Sequence, residues 1–201
     1  MFFRSRRLQE RKSTKIAITG MSESSGTTHL AVAIANYYAS KERQTVLFVE
    51  CLPSRGVIGL RTQETLMVKG ASGFLHAGVV YVPEILPEQA WEFMTAPYDV
   101  ILFRAKGWQE SMRTILHACG RLIVTVNARP WHYMALQENM KQMIQLEHEI
   151  VQGDYCGFGI TKAEEKRLET DFHLRCMDIP MIADPLRLDK ADLHFLTQFL
   201  K

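Results

Sequence analysis

The sequence predicts an α/β fold with a mainly parallel sheet, and three observations predict it. Residues 15–30, KIAITGMSESSGTTHL, read as a buried strand, a tight loop of small residues and a helix start. Residues 45–50, TVLFVE, form a second apolar strand. Strand, helix and strand within about 35 residues make a βαβ unit, which implies a right-handed crossover and parallel pairing. Short apolar runs then alternate with amphipathic stretches to the C-terminus. The expected architecture is three layers, α/β/α, around about seven strands.

Each element follows from its local pattern. Ile16-Ala17-Ile18 is apolar without a helical period, so it reads as a strand. From Thr27 onward, Leu30, Val32, Ala33, Ile34, Ala35 and Tyr38 recur at helical spacing and predict a helix over 27–41. Pro53, Gly56, Gly59, Gly70, Gly73 and Gly78 interrupt residues 51–78, which read as loops with one short helix near 62–67. Residues 79–82 are a third strand. Pro87 suits a first helical turn, and 88–95 continue the helix. Residues 98–103, YDVILF, are a fourth strand, and 109–118 are a helix with Met112, Ile115 and Leu116 on one side. Residues 121–126, RLIVTV, are a fifth strand. A long amphipathic helix follows over 131–150; its stripe of Met134, Leu136, Met140, Met143, Ile144 and Leu146 reads as core packing. A sixth strand (155–160), a helix (163–175), a short seventh strand or extended segment (179–182) and a closing helix (189–200) complete the chain, with Asp189 as the cap of the last.

Composition excludes several classes. The 201 residues suffice for one good core, and 47% of them are apolar, so a folded domain is expected rather than disorder. The reading is a basic N-terminal segment, 1–14, followed by one domain, 15–201. A net charge of +2 gives no support to a nucleic-acid partner. Cys51, Cys119, Cys156 and Cys176 lie far apart and read as free buried thiols of a reducing compartment, not as a metal site. The seven histidines are scattered without an H-x-x-x-H pair, so no metal site is expected. No apolar run has the length of a membrane span, and MFFRSRRLQERK lacks the apolar core of a signal peptide. The expected location is cytoplasmic. Arg4, Arg6, Arg7, Arg11 and Lys12 behind Met1, Phe2 and Phe3 leave two readings for residues 1–12: a solvated terminus, or a peripheral contact with an anionic membrane.

The loop after the first strand carries the chemistry. A strand–loop–helix of this shape points backbone N–H groups and a helix N-terminus at one spot, which suits an anion. The usual phosphate-binding version is G-x-x-x-x-G-K-[ST]. Here Gly26-Thr27-Thr28 stands where G-K-T would stand, Thr27 replaces the lysine, and Met21 replaces the first glycine.

On these residues the chain resembles the MinD/ParA family of P-loop NTPases, the class with a deviant Walker A loop. Three stretches carry the resemblance: ITGMSESSGTTHLAVAIANYYAS; QTVLFVEC, with Glu50 at the strand end; and YDVILFRAKG, similar to the strand that ends in the switch II aspartate. The resemblance implies a P-loop NTPase fold and, in active members, ATP with magnesium. It also marks the departures. The P-loop lysine falls at Thr27, the signature lysine at Ser22, and the switch II aspartate at Arg104. Thr28 keeps the hydroxyl expected to meet magnesium, and Glu23 adds a negative charge within the loop. A P-loop lysine counters charge on the transferred phosphoryl group, and threonine carries no charge to replace it.

The candidate phosphate site, read as vestigial, is therefore Gly20, Ser22, Glu23, Ser24, Ser25, Gly26, Thr27, Thr28, His29, Glu50 and Arg104. Each has a plainer alternative. Gly20 and Gly26 serve a sharp turn or cradle phosphate; Thr28 caps the helix or binds metal. His29 is a polar first-turn residue facing the loop, or a general base. Glu50 is a locally paired strand-end acid or a residual switch residue. Arg104 forms an internal ion pair with Glu23 or Glu50, or grips a phosphate in place of the lysine. Trp131, after Arg129-Pro130, stacks on a base, grips a partner or is buried at a helix start, and residues 182–185 form another loop at the same sheet edge. The expectation is a protein that is not an ATPase and has no cofactor, acting as a regulatory or localisation scaffold on other proteins, with a homodimer as a further expectation. The alternative is a nucleotide switch or slow ATPase with ATP and magnesium.

Overall fold

Alternate side chains of the central strands go to opposite faces of the sheet, and both faces are apolar. The computed structural model describes residues 13–61 and 64–201. Among these, nine strands form one sheet: β1 (Thr14–Gly20), β2 (Val46–Cys51), β3 (Thr65–Val68), β4 (Ala71–His76), β5 (Val79–Ile85), β6 (Val100–Lys106), β7 (Arg121–Thr125), β8 (Asp154–Phe158) and β9 (Met177–Ile179). Their order is β3-β4-β5-β2-β6-β1-β7-β8-β9. Pairing is parallel from β5 to β9, as the βαβ reading requires.

The helices are α1 (Thr27–Asn36), α2 (Glu110–Ala118), α3 (Pro130–Glu147), α4 (Lys162–Phe172) and α5 (Lys190–Phe199). A π turn, Tyr37–Lys41, prolongs α1, and a 3-10 segment, Pro87–Thr95, stands where an α-helix is expected. Ile16, Ile18, Phe48, Val100 and Leu102 meet α1 and α5 on one face, with Leu30, Ile34, Leu196 and Phe199. Ala17, Leu47, Val49, Ile101 and Phe103 meet α2, α3 and α4 on the other, with Met112, Leu136, Met140 and Leu168. Asp189 caps α5 as expected: its carboxylate accepts from Asp192 N, and Asp192 reaches back to Asp189 N.

Two expectations are overturned. The short helix near 62–67 is not formed: Thr65–Val68 is a strand, paired antiparallel with β4, while residues 62 and 63 lie outside the described residues. The reason lies in two tight turns. Lys69-Gly70 and Ala77-Gly78 each join neighbouring strands through two residues with positive φ, the geometry that right-twisted hairpins prefer. Gly70 and Gly78, two of the glycines that break the pattern, thus belong to hairpin turns, and these turns add two strands to the seven expected. The stripe on α3 is core only in part. Leu136, Met140 and Met143 are buried, but Met134 is 74% exposed. The basic segment 1–12 lies outside the described residues.

The thiols are free, with Cys51, Cys156 and Cys176 buried and Cys119 half-buried. Burial pushes Cys51, Cys119 and Cys176 up to about 12 and raises Cys156 as well. No helix among the described residues is long and apolar enough to cross a membrane.

The last residue of α3 fastens α2. The Glu147 carboxylate accepts from Trp108 Nε1 at 3.1 Å, Arg113 Nε at 2.9 Å and His117 Nε2 at 3.1 Å. Burial alone would raise its pKa, but the three donors outweigh burial and hold it below the usual carboxylate range. A depressed carboxylate contributes stability that is present above the ordinary glutamate value of about 4.3 and is lost as pH falls through the depressed value. Glu147→Gln is therefore expected to lower the thermal midpoint at neutral pH. The gap to wild type should close in acid, as followed by circular dichroism; a pH-independent gap would disprove this account.

Candidate functional site

Polar residues begin where the apolar series facing α1 ends. In β2 the series Val46-Phe48 continues to Glu50; in β6, Val100-Leu102 continues to Arg104 and Lys106; in β1, Ile16-Ile18 continues to Gly20. Alternation keeps all of these on one face. Parallel register aligns Glu50 with Arg104, and Gly20 with both Lys106 and Thr125. They surround the N-terminus of α1 at the carboxyl edge of the sheet, where open α/β sheets bind ligands.

The β1–α1 loop is held from below. Thr27 Oγ1 lies 2.6 Å from Thr125 Oγ1 and 2.9 Å from Ser25 Oγ, and the Ser25 and Thr125 hydroxyls are 3.0 Å apart. This buried triangle of hydroxyls leaves no room beside Gly20, where a Cβ would collide with Thr27 and Ser25. Gly26 has φ +76°, and a Cβ there would strike the Phe158 ring, so position 26 needs glycine on both counts. Met21 is fully buried in the core on the α2 and α3 face. Asn139 Nδ2 donates to Met21 O at 2.8 Å; Asn127 donates through N to Ser22 Oγ at 2.9 Å and through Nδ2 to Ser24 O at 3.2 Å.

Arg104 takes one of the two acids expected as its partner. Arg104 Nη1 is 3.2 Å from Glu50 Oε1, with side chains 12% and 0% exposed. Glu50 Oε1 also accepts from Gly56 N at 2.7 Å, and Oε2 from Val57 N at 3.1 Å. Of the two acids considered for Arg104, the partner is Glu50. Glu23 pairs with Lys106, at 3.8 Å and near the surface. Thr28 is not the cap of α1: Gly26 holds that position, and the Thr28 side chain lies against Gly56. His29 does not act as a free polar group at the loop. Its Nε2 lies 2.6 Å from Ile182 O and its ring meets Phe158 edge-on, fastening the loop around 182 to α1.

Two cavities flank the loop. One, of about 490 Å³, is lined by Gly20, Ser22 to His29, Arg104, Ala105 and Lys106. The sequence-derived residues are thus brought together, except Glu50, which is sealed beneath Gly56. A second, of about 260 Å³, shares Ser24 to Gly26 and His29 and is closed by Asn127, Arg129, His132, Phe158 and Met181. Trp131 is 71% exposed beside Arg129, so it is not a buried helix-start aromatic. Lys106, Thr125, Asn127, Asn139 and Phe158 escaped the sequence reading. Lys106 was detectable as the next residue after Arg104 on the same strand face; the others are joined to the loop only by the fold.

No protein-family model and no curated protein sequence matches the chain. Solved structures do. A ParA family ATPase from Chlorobium tepidum superposes with a TM-score of 0.61 at 11% identity, covering 94% of this chain and 91% of its own. A Borrelia burgdorferi protein described as a plasmid partition protein, bound to AMPPNP, gives 0.64 at 11% identity, covering 94% and 97%. A chain of the MinC:MinD cell division protein complex from Aquifex aeolicus gives 0.58 at 14% identity, covering 94% and 96%. The chain has the MinD/ParA P-loop NTPase fold.

In this MinD/ParA-like domain the Glu50–Arg104 pair joins strand β6 to the loop after β2 through one buried carboxylate. Removing one partner strands the other charge, so Glu50→Leu or Arg104→Met is expected to cost about 3–5 kcal/mol in urea unfolding, while the double substitution should come much closer to neutral. Additive losses in the double variant would show that the two side chains do not act as a pair.

Proposed function

We propose that this chain is a non-hydrolysing MinD/ParA-like protein that acts as a regulatory or localisation scaffold through protein–protein contacts. The observation that carries this reading is position 27. The residue at the phosphate-facing lysine position is a threonine whose hydroxyl is engaged by Ser25 and Thr125. Ser22, where the signature lysine would fall, is bonded to Asn127 instead. The loop supplies no cation of its own, and the nearby Arg104 is committed to Glu50. Phosphoryl transfer depends on electrostatic stabilisation of the moving phosphate, and these replacements remove it. On this reading the chain has no catalytic residue and requires no cofactor.

The contact surface we favour lies beside the loop. Trp131 and Met134, 71% and 74% exposed, stand three residues apart on α3 with Trp131 beside Arg129, and Met181, 74% exposed, shares the second cavity with Arg129 and His132. Large exposed aromatics next to arginine are the usual anchors of protein interfaces. The MinC:MinD assembly offers an analogy for a protein partner on this fold. A homodimer and a peripheral membrane contact through residues 1–12 belong to the same scaffold reading, with the protein otherwise cytoplasmic.

A second reading, a nucleotide switch or slow ATPase using ATP and magnesium, is favoured by one observation. The loop cavity is open at about 490 Å³, with Arg104 and Lys106 on its wall. The AMPPNP-bound Borrelia protein shows nucleotide held by a neighbour of this fold. Titration calorimetry of nucleotide-stripped protein with ATP, ADP and GTP, each with and without magnesium, separates the two. Absence of heat at millimolar nucleotide is the expected result. Micromolar binding accompanied by turnover would replace the scaffold reading with the second one.

A further inference from the structure

Magnesium in a nucleotide site needs hard oxygen ligands in near-octahedral array. Among the oxygen side chains around the cavity, Ser25 and Thr27 are tied to each other and to Thr125, Ser22 is bonded to Asn127, and the exposed Glu23 carboxylate pairs with Lys106. Beside Arg104 stand the Thr28 hydroxyl and the Glu50 carboxylate, and Glu50 does not fit. Glu50 is completely buried, and both of its oxygens already accept hydrogen bonds, from Gly56 N and Arg104 on one side and Val57 N on the other. Those donors point at the lone pairs a cation would use. A divalent ion would also have to settle beside the Arg104 guanidinium. Thr28 lines the loop cavity and lies against Gly56, the residue that donates to Glu50, so Gly56 screens its hydroxyl from the Glu50 side and a metal on the cavity side could not be shared with Glu50 without opening that loop.

Cations on β6 already stand on this side of the cavity. Arg104 meets Glu50, and Lys106 meets Glu23 at 3.8 Å near the surface. Each carboxylate of the site therefore has a cationic partner within the protein.

We infer that the Arg104 guanidinium is the resident cation of this site. It takes the place of a divalent metal and ties strand β6 to the loop after β2 through Glu50, whether or not the cavity is filled. Metal-dependent opening and closing of that loop is thereby given up, and any ligand of the cavity is held without a bridging metal. This rests on reading the β1–α1 cavity as the MinD/ParA site, but it is independent of whether ATP is hydrolysed.

Manganese, a paramagnetic probe for magnesium, tests it on the full chain. Electron paramagnetic resonance should find no manganese held by the loop at millimolar metal. Any manganese bound by the wild type should be bound equally by Thr28→Ala and by Glu50→Gln. Manganese bound by the wild type and lost by at least tenfold in Thr28→Ala, a substitution that leaves the Glu50–Arg104 pair in place, would overturn the inference. A parallel turnover assay keeps the two readings apart. ATP turnover that persists in EDTA would refute the non-hydrolysing function and support the resident cation. Manganese bound at Thr28 without turnover would do the reverse.

Discussion

A carboxylate with no access to water needs partners, and the environment of Glu50 is built to supply them. A buried, unpaired charge is among the most costly groups a fold can hold. Here the charge is met by one guanidinium and two backbone N–H groups, drawn from strand β6 and from the loop after β2. Two of these donors depend on the local path of 51–57, and the third on the register that sets Arg104 beside Glu50. The pair therefore fixes three things together: the path of the loop over Thr28, the direction of Arg104 and the closed floor of the neighbouring cavity.

The β1–α1 loop is rigid for separate reasons. Its shape comes from Gly26 in the left-handed region and from Gly20 packed under hydroxyls. Its position comes from Met21, which replaces a glycine of the phosphate-binding pattern and anchors in the core as an apolar peg. A loop with a buried methionine and three bonds from Asn127 and Asn139 has little freedom to reshape around a ligand. The loop has the shape of an anion cradle, and the Ser25, Thr27 and Thr125 hydroxyls brace it from below.

The fold was legible because apolar runs buried on both faces leave little doubt about a parallel sheet, and the βαβ start orders the rest. The antiparallel corner was not legible. Its strands are short and half-exposed, with Thr65 and Met67 facing solvent, so neither period stands out, and the Lys69-Gly70 and Ala77-Gly78 turns resemble ordinary loop glycines. The Arg104–Glu50 contact was among the readings open from sequence because both residues end strands that neighbour each other in such a sheet. Its exclusivity was not, since Glu23 is equally close in sequence terms and only the direction of the loop sends it to Lys106. Trp131 could not be placed from sequence at all. A helix start offers both buried and exposed directions, and α3 turns its Tyr133 and Leu136 inward, leaving Trp131 and Met134 outside.

Helix α3 is the element through which these features meet. Its N-terminal turn displays Trp131, its second and third turns hold Met21 through Asn139, and the loop before it holds Ser22 and Ser24 through Asn127. At its other end, Glu147 grips Trp108, two residues beyond Lys106. One rigid helix is thus bonded to the anion-cradle loop, to the segment following Arg104 and Lys106, and to the exposed aromatic surface. In a protein whose loops move with a nucleotide, such a helix would carry that movement to the surface. With Glu50 and Arg104 holding the loops in one arrangement, the same connections present the Trp131 surface in a fixed geometry, and a pre-organised surface binds with less ordering cost than a mobile one. The Glu50–Arg104 pair and the bonds that seat α3 are parts of one framework.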